Sequence, residues 1–112
     1  MKKTIYNQEA VQGDVVITAI DMLPQNAKKK SYSNDRLILA EGENTGHAHA
    51  VYGDGAELWE DARNKDLYLV ALKEVQVIHE EHRPVIIAPG TYKVFIVEEY
   101  DYFLEETRKV VD

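Results

Sequence analysis

A chain of 112 residues and 12.8 kDa has room for a single domain, because two would leave neither half a core to bury. Folding hides about two-thirds of the surface of a chain this long, and 45% hydrophobic with 29% charged residues is a globular composition, not a disordered one. The absence of cysteine excludes disulfides, thiolate nucleophiles and Cys-ligated zinc or iron–sulfur centres, and 20 acidic against 13 basic residues give a formal charge of −7 that opposes a phosphate backbone.

From the N-terminus, Met1-Lys2-Lys3 has the charge that opens a secretory leader, but Asn7, Gln8 and Glu9 stand where its apolar segment should be. Apolar stretches such as 15–20 reach about six residues, far short of the roughly 20 of a membrane helix. The expectation is a cytoplasmic protein with no membrane span. The hydrophobic pattern is short and mostly of period two, which predicts strands at 14–20, 36–41, 47–52, 56–60, 67–71, 75–79, 84–88 and 91–99. Turn signals separate them: Gly42, Gly46, Gly53-Asp54-Gly55, Asn64-Lys65-Asp66 and Pro89-Gly90. The fold class expected is all-β, a small antiparallel barrel or jelly-roll-like sandwich spanning 1–112 as one domain. Between the first two strands, 24–34 reads as a mobile basic loop carrying Lys28-Lys29-Lys30, a solvated charge run in preference to a nucleic-acid contact. At the other end, 103–112 reads either as a short helix or as an extended tail, with Phe103, Leu104 and Val110-Val111 spaced among Glu105, Glu106, Arg108 and Lys109.

All four histidines fall in two tight clusters, Gly46-His47-Ala48-His49 and His79-Glu80-Glu81-His82. Residues two apart on a strand point to one face about 7 Å apart. Two imidazoles so placed can lean onto one ion at about 2.0–2.1 Å. His79 and His82, three apart, converge only if the chain bends at Glu80-Glu81, and Arg83 before Pro84 is biased to an extended conformation that favours such a bend. If the two pairs meet as adjacent strands, His47, His49, His79 and His82 supply three or four nitrogen ligands to a divalent metal. Nitrogen and oxygen donors without thiolate suit zinc, iron, nickel, manganese or copper alike. Glu41, Glu43, Glu80 and Glu81 are further ligands or acceptors that fix a tautomer, and Glu80 or Glu81 is the candidate catalytic base for a metal-bound water. Two blander readings stay open: histidines that are merely hydrogen-bonded or solvated, and a metal-free acid–base pair.

The stretches Leu39-Ala40-Glu41-Gly42-Glu43-Asn44-Thr45-Gly46-His47-Ala48-His49, Ile78-His79-Glu80-Glu81-His82-Arg83-Pro84 and Pro89-Gly90-Thr91-Tyr92-Lys93-Val94, with Glu98-Glu99-Tyr100, resemble a family of small uncharacterised proteins of bacteria and their phages. Gly13-Asp14-Val15 and the tyrosine-rich acidic end fit the same resemblance, which covers most of the chain and implies no particular activity. A second, partial resemblance is to cupins, jelly-roll barrels with a Gly…His-x-His metal motif followed by Pro-Gly. Here Gly42 stands one residue nearer His47 than that motif has it, Gly53 and Asp54 occupy the place of its glutamate, and no histidine follows Pro89-Gly90.

The remaining candidates favour structure over chemistry. Trp59 reads as a core or half-buried residue, Tyr92 as core, and Glu98-Glu99 with Glu105-Glu106 as solvated faces. Gly53-Asp54-Gly55 lacks the lysine of a phosphate loop, and Ser31 and Ser33 lack a nucleophile's setting. Two functions are expected from different classes. One is a metal protein acting on a small-molecule substrate or holding its ion structurally. The other is a non-catalytic module binding a protein partner through Tyr100-Asp101-Tyr102 and the basic loop, with edge-to-edge pairing of strands making a homo-oligomer available.

Overall fold

The computed structural model describes residues 4–32, 35–41 and 46–97. They form eleven strands in chain order: β1 (Ile5–Tyr6), β2 (Glu9–Gln12), β3 (Val15–Ala19), β4 (Ala27–Lys30), β5 (Arg36–Glu41), β6 (Ala48–Tyr52), β7 (Ala56–Asp61), β8 (Leu67–Ala71), β9 (Val75–Ile78), β10 (Val85–Ile87) and β11 (Gly90–Ile96). One sheet runs β1-β10-β9-β6-β5 and the other β2-β3-β11-β8-β7-β4. Every pairing is antiparallel except β1 with β10. The all-β expectation holds as a sandwich; the sheets do not close into a barrel.

Period-two alternation explains the stacking. Along β3 the residues Val15 and Ile17 turn inward, and along β5 Leu37 and Leu39 do the same. Leu37, Leu39, Val51, Val77 and Ile87 of one sheet meet Val15, Ile17, Leu58, Leu69, Tyr92 and Val94 of the other in a single core. Each large aliphatic side chain so buried contributes about 1.5–3 kcal/mol. Tyr92 is buried as expected, and its hydroxyl donates to the Ala88 carbonyl at 2.7 Å, so the ring brings no unpaired polar atom inside. Trp59 is half-buried and donates from Nε1 to Glu57 at 3.1 Å.

Two expectations change. Within the segment read as a basic loop, Ala27–Lys30 is β4, an edge strand registered on β7 with Lys29 opposite Trp59 and Lys30 opposite Leu58. The pattern of lysines gives no alternation, so the strand rests on backbone pairing and on contacts of Lys29 with Glu57 at 3.2 Å and Lys30 with Glu60 at 3.8 Å. Further upstream, the chain turns at Gly13-Asp14 to join β2 and β3, whose last pair is Gln12 with Val15. A two-residue hairpin with glycine at its first central position and a φ of +59° is the geometry that suits the twist of the flanking strands. Asp14 is thus a turn residue and not the start of a strand. The segment 103–112, read as helix or tail, and the acidic-aromatic residues Tyr100-Asp101-Tyr102 lie outside the described residues, as do Glu43 and Gly42.

Candidate metal centre

The register between β6 and β9 explains how the two histidine clusters meet. Ala50 stands opposite Ile78 and Val51 opposite Val77. Continued one residue past the ladder, that antiparallel register sets His49 opposite His79. The next two steps set Ala48 against Glu80 and His47 against Glu81. Contacts follow the register: the Ala48 amide donates to Glu80 Oε1 at 3.0 Å, and His47 Nδ1 lies 3.8 Å from Glu81 Oε1. Beyond β9 the chain bends through 80–82 and returns the fourth ring. The ring centroids are 4.3 Å apart for His49 and His79, 4.7 Å for His79 and His82, 5.7 Å for His47 and His79, and 5.9 Å for His49 and His82. The four imidazoles converge at one corner of the sandwich, where the start of β6 and the end of β9 face the β2–β3 turn.

That turn supplies a wall absent from the sequence reading, Gln12-Gly13-Asp14. Gln12 occupies an inward phase of β2, beside buried Ala10, and its amide Nε2 donates to the Val77 and Arg83 carbonyls, each at 2.9 Å. With both amide hydrogens used, Oε1 is the acceptor for His49 Nδ1 at 2.8 Å. Nδ1 of His49 therefore carries the proton and Nε2 the lone pair. Nε2 lies 3.4 Å from Asp14 Oδ1. Burial, and next the neighbouring His79, hold the His49 pKa below its ordinary value, which favours the neutral ring. Gly13 backs His82: a Cβ at this position would stand 2.7 Å from His82 Nε2.

The other residues add an anion and an orphan. Glu80 is held ionised, its pKa lowered by the Ala48 amide and then by its own backbone amide. The Glu81 amide donates to His79 Nδ1 at 3.0 Å, which leaves Nε2 as the protonated nitrogen of a neutral His79 ring. His47 Nδ1 is buried without a hydrogen-bond partner. One ligand atom each from His47, His79 and Glu80 lies within 4.8 Å of the others. The structure thus brings together His47, His49, His79 and His82, and sets Glu80 and Glu81 beside them in different roles. Glu41, at the end of β5, is exposed and makes no recorded contact with the rings.

With this geometry in hand, the chain is a small all-β sandwich whose one corner gathers imidazoles and carboxylates. It belongs to the domain family of unknown function DUF8820, which matches residues 11–96 and so includes the second half of β2, β3 to β11 and every histidine. Comparison with curated proteins and with solved structures returns no match. Among the described residues no helix is long and apolar enough to cross a membrane.

Proposed function

We propose that this domain binds one divalent metal ion in the histidine corner, with His47, His79 and Glu80 as ligands and with His49 and His82 lining the same position. The observation that carries the reading is His47 Nδ1, a buried lone-pair or N–H site with no hydrogen-bond partner, Glu81 Oε1 standing off at 3.8 Å. A buried polar atom left unpaired costs on the order of 1–3 kcal/mol, and a cation held also by an ionised carboxylate would remove that cost. Ligand atoms on one tetrahedral ion with bonds of about 2.1 Å lie about 3.4 Å apart. The widest separation in the group, up to 4.8 Å, must therefore contract by up to about 1.4 Å, which rotations of His47 and of the exposed Glu80 provide. His79 would hold the ion through Nδ1 in place of the Glu81 amide, or through Nε2 with the ring proton on Nδ1, and either choice would release the Glu81 N–H from Nδ1.

Imidazole and carboxylate donors suit zinc, iron, nickel, manganese or copper, and the absence of cysteine removes the soft-ligand alternatives. A bound ion would supply Lewis acidity to a small-molecule substrate if a position on it stays open, and rigidity alone if His49 or His82 closes it. Glu81, 3.8 Å from His47, is then a carboxylate beside the ion that is not itself one of the proposed ligands. A metal-free acid–base role has one contact in its favour, Asp14 Oδ1 at 3.4 Å from His49 Nε2, which becomes an ion pair when that nitrogen takes a proton.

Titration of chelator-treated, untagged protein with zinc separates these readings. One equivalent bound, with a rise in melting temperature that His47→Ala and His79→Ala each abolish, is the expected result. Failure of the folded protein to bind zinc, cobalt or nickel at stoichiometric ratio overturns it and leaves the acid–base pair.

A further inference from the structure

A cleft of about 480 Å³ opens on the far side of His82 and Gln12, between the β1–β10 edge and the β2–β3 turn. Its volume falls within the range of small-molecule sites, about 300–1,000 Å³. Tyr6, Val11, Val85 and Ile86 give it apolar walls, with Val11 55% exposed. The polar part has one sign. Arg83 lines the cleft, no carboxylate does, and among the described residues no acidic side chain pairs with the Arg83 guanidinium. In a chain with 20 acidic and 13 basic residues, a cleft whose described lining holds an arginine and no carboxylate departs locally from the net charge.

We infer that this cleft binds a small monocarboxylate with an apolar body. The carboxylate meets the Arg83 guanidinium, whose planar donors match it in a bidentate fork, while the body lies on Tyr6, Val11, Val85 and Ile86. A single arginine in a field of net charge −7 suits one negative charge and not a multiply charged phosphate ester. His82 forms the wall shared with the histidine corner, and Gln12 ties that wall to Val77, Arg83 and His49. A ligand seated here therefore has its inner end directed at the four rings. Carboxylate binding stands on the cleft alone; the further statement that the ligand's inner end faces a metal ion rests on the metal reading above.

Benzoate is the probe, and benzyl alcohol, with the same ring and no charge, its control. Amide shifts of the full chain are followed by NMR in chelator-treated and in zinc-loaded samples. Benzoate is expected to give saturable shifts at Val11, Gly13 and Val85, with benzyl alcohol weaker by about tenfold, the size of a charge-assisted hydrogen bond. Arg83→Gln should bring benzoate down to the level of benzyl alcohol, and Arg83→Lys should restore part of the difference. Equal binding of the two probes by the unaltered protein, shifts confined to other surfaces, or benzoate affinity unchanged in Arg83→Gln each overturn the proposal. The two readings fail separately. Zinc bound without benzoate removes the cleft and keeps the metal centre, and benzoate bound by a protein that takes no zinc does the reverse.

Discussion

Two places on this sandwich concentrate polar side chains, and they differ in what surrounds them. Along the β4–β7 edge, Lys29 and Lys30 reach Glu57 and Glu60 from exposed positions, each glutamate two residues along β7 from the lysine's register partner. In the histidine corner, His49 and Gln12 are almost fully buried, Glu80 is anchored by a backbone amide, and His47 Nδ1 has no hydrogen-bond partner. Water serves the first group whether or not its pairs form, so the pairs are worth little. The second group has been taken out of water, and every hydrogen bond there decides a tautomer or leaves a lone pair aimed inward. Clusters of charge on a sequence are common; the corner differs because its polar atoms are committed.

The sharpest way to break that contrast is Gln12→Leu. Leucine has nearly the same volume but leaves the Val77 and Arg83 carbonyls and the His49 N–H without the partners that Gln12 gives them. Each abandoned group costs on the order of 1–3 kcal/mol, with partial relief by water, so we expect a loss of about 3 kcal/mol in urea unfolding. The substitution also frees the His49 ring to exchange tautomers, which nitrogen chemical shifts of the imidazole read directly. A loss below about 0.5 kcal/mol, as at an ordinary surface position, would show that Gln12 is not a tie between the sheets.

Why the sequence revealed one half of this corner and hid the other is a matter of signal type. The edges of β5 and β8 are legible because Leu37 and Leu39 alternate with less buried neighbours and because 67–71 is a compact apolar run between turn residues. Histidines announce their own chemistry, so His47, His49, His79 and His82 could be chosen by residue type and spacing. Their meeting depends on the β6–β9 register, set by the inward phases of Val51 and Val77 on two distant strands, and no local pattern encodes it. Gln12 and Asp14 had a readable signal that the strand pattern masked. Ala10-x-Gln12 and Val15-x-Ile17 alternate on either side of Gly13-Asp14, a two-residue hairpin signature, and a glutamine in the buried phase of such a strand marks a polar tie. β1 and β4 carried no comparable signal: one has two residues, and the other is a run of lysines held by its neighbour's backbone.

Acidification should sharpen the contrast by a moderate amount. His49 has a folded-state pKa below its ordinary 6.5, chiefly through burial and next through His79. Between those two values the unfolded chain binds a proton that the folded chain does not. The contribution is complete above pH 6.5 and declines as pH falls through the folded-state value. Glu80 acts in the same direction in a lower window: its carboxylate, lowered from 4.5 by the Ala48 amide, favours the folded state above that value and stops doing so as it protonates. Chelator-treated protein should therefore lose stability in two stages on acidification, the first beginning as pH falls below 6.5. Replacing His49 with asparagine should flatten that first stage and leave the second in place. Equal unfolding midpoints at about pH 7.5 and pH 5.5 would mean that His49 accepts its proton as readily folded as unfolded.

The smallest effect belongs to the lysine edge, and its smallness is the point. Lys29 and Lys30 keep 54% and 44% of their side-chain surface in solvent, and Glu57 and Glu60 remain partly open as well. Glu57 has a lowered pKa, owing first to the Trp59 indole N–H and then to Lys29, so its ionised form survives loss of the lysine with the indole still bound. Lys29→Ala and Lys30→Ala should each change unfolding free energy by no more than about 0.5 kcal/mol, and added salt should reduce even that. If either one instead matched Gln12→Leu, β4 would owe its place to the ion pairs. A small and salt-sensitive change means that β4 is held by its backbone ladder to β7, with the lysines serving to keep that edge from pairing with another chain.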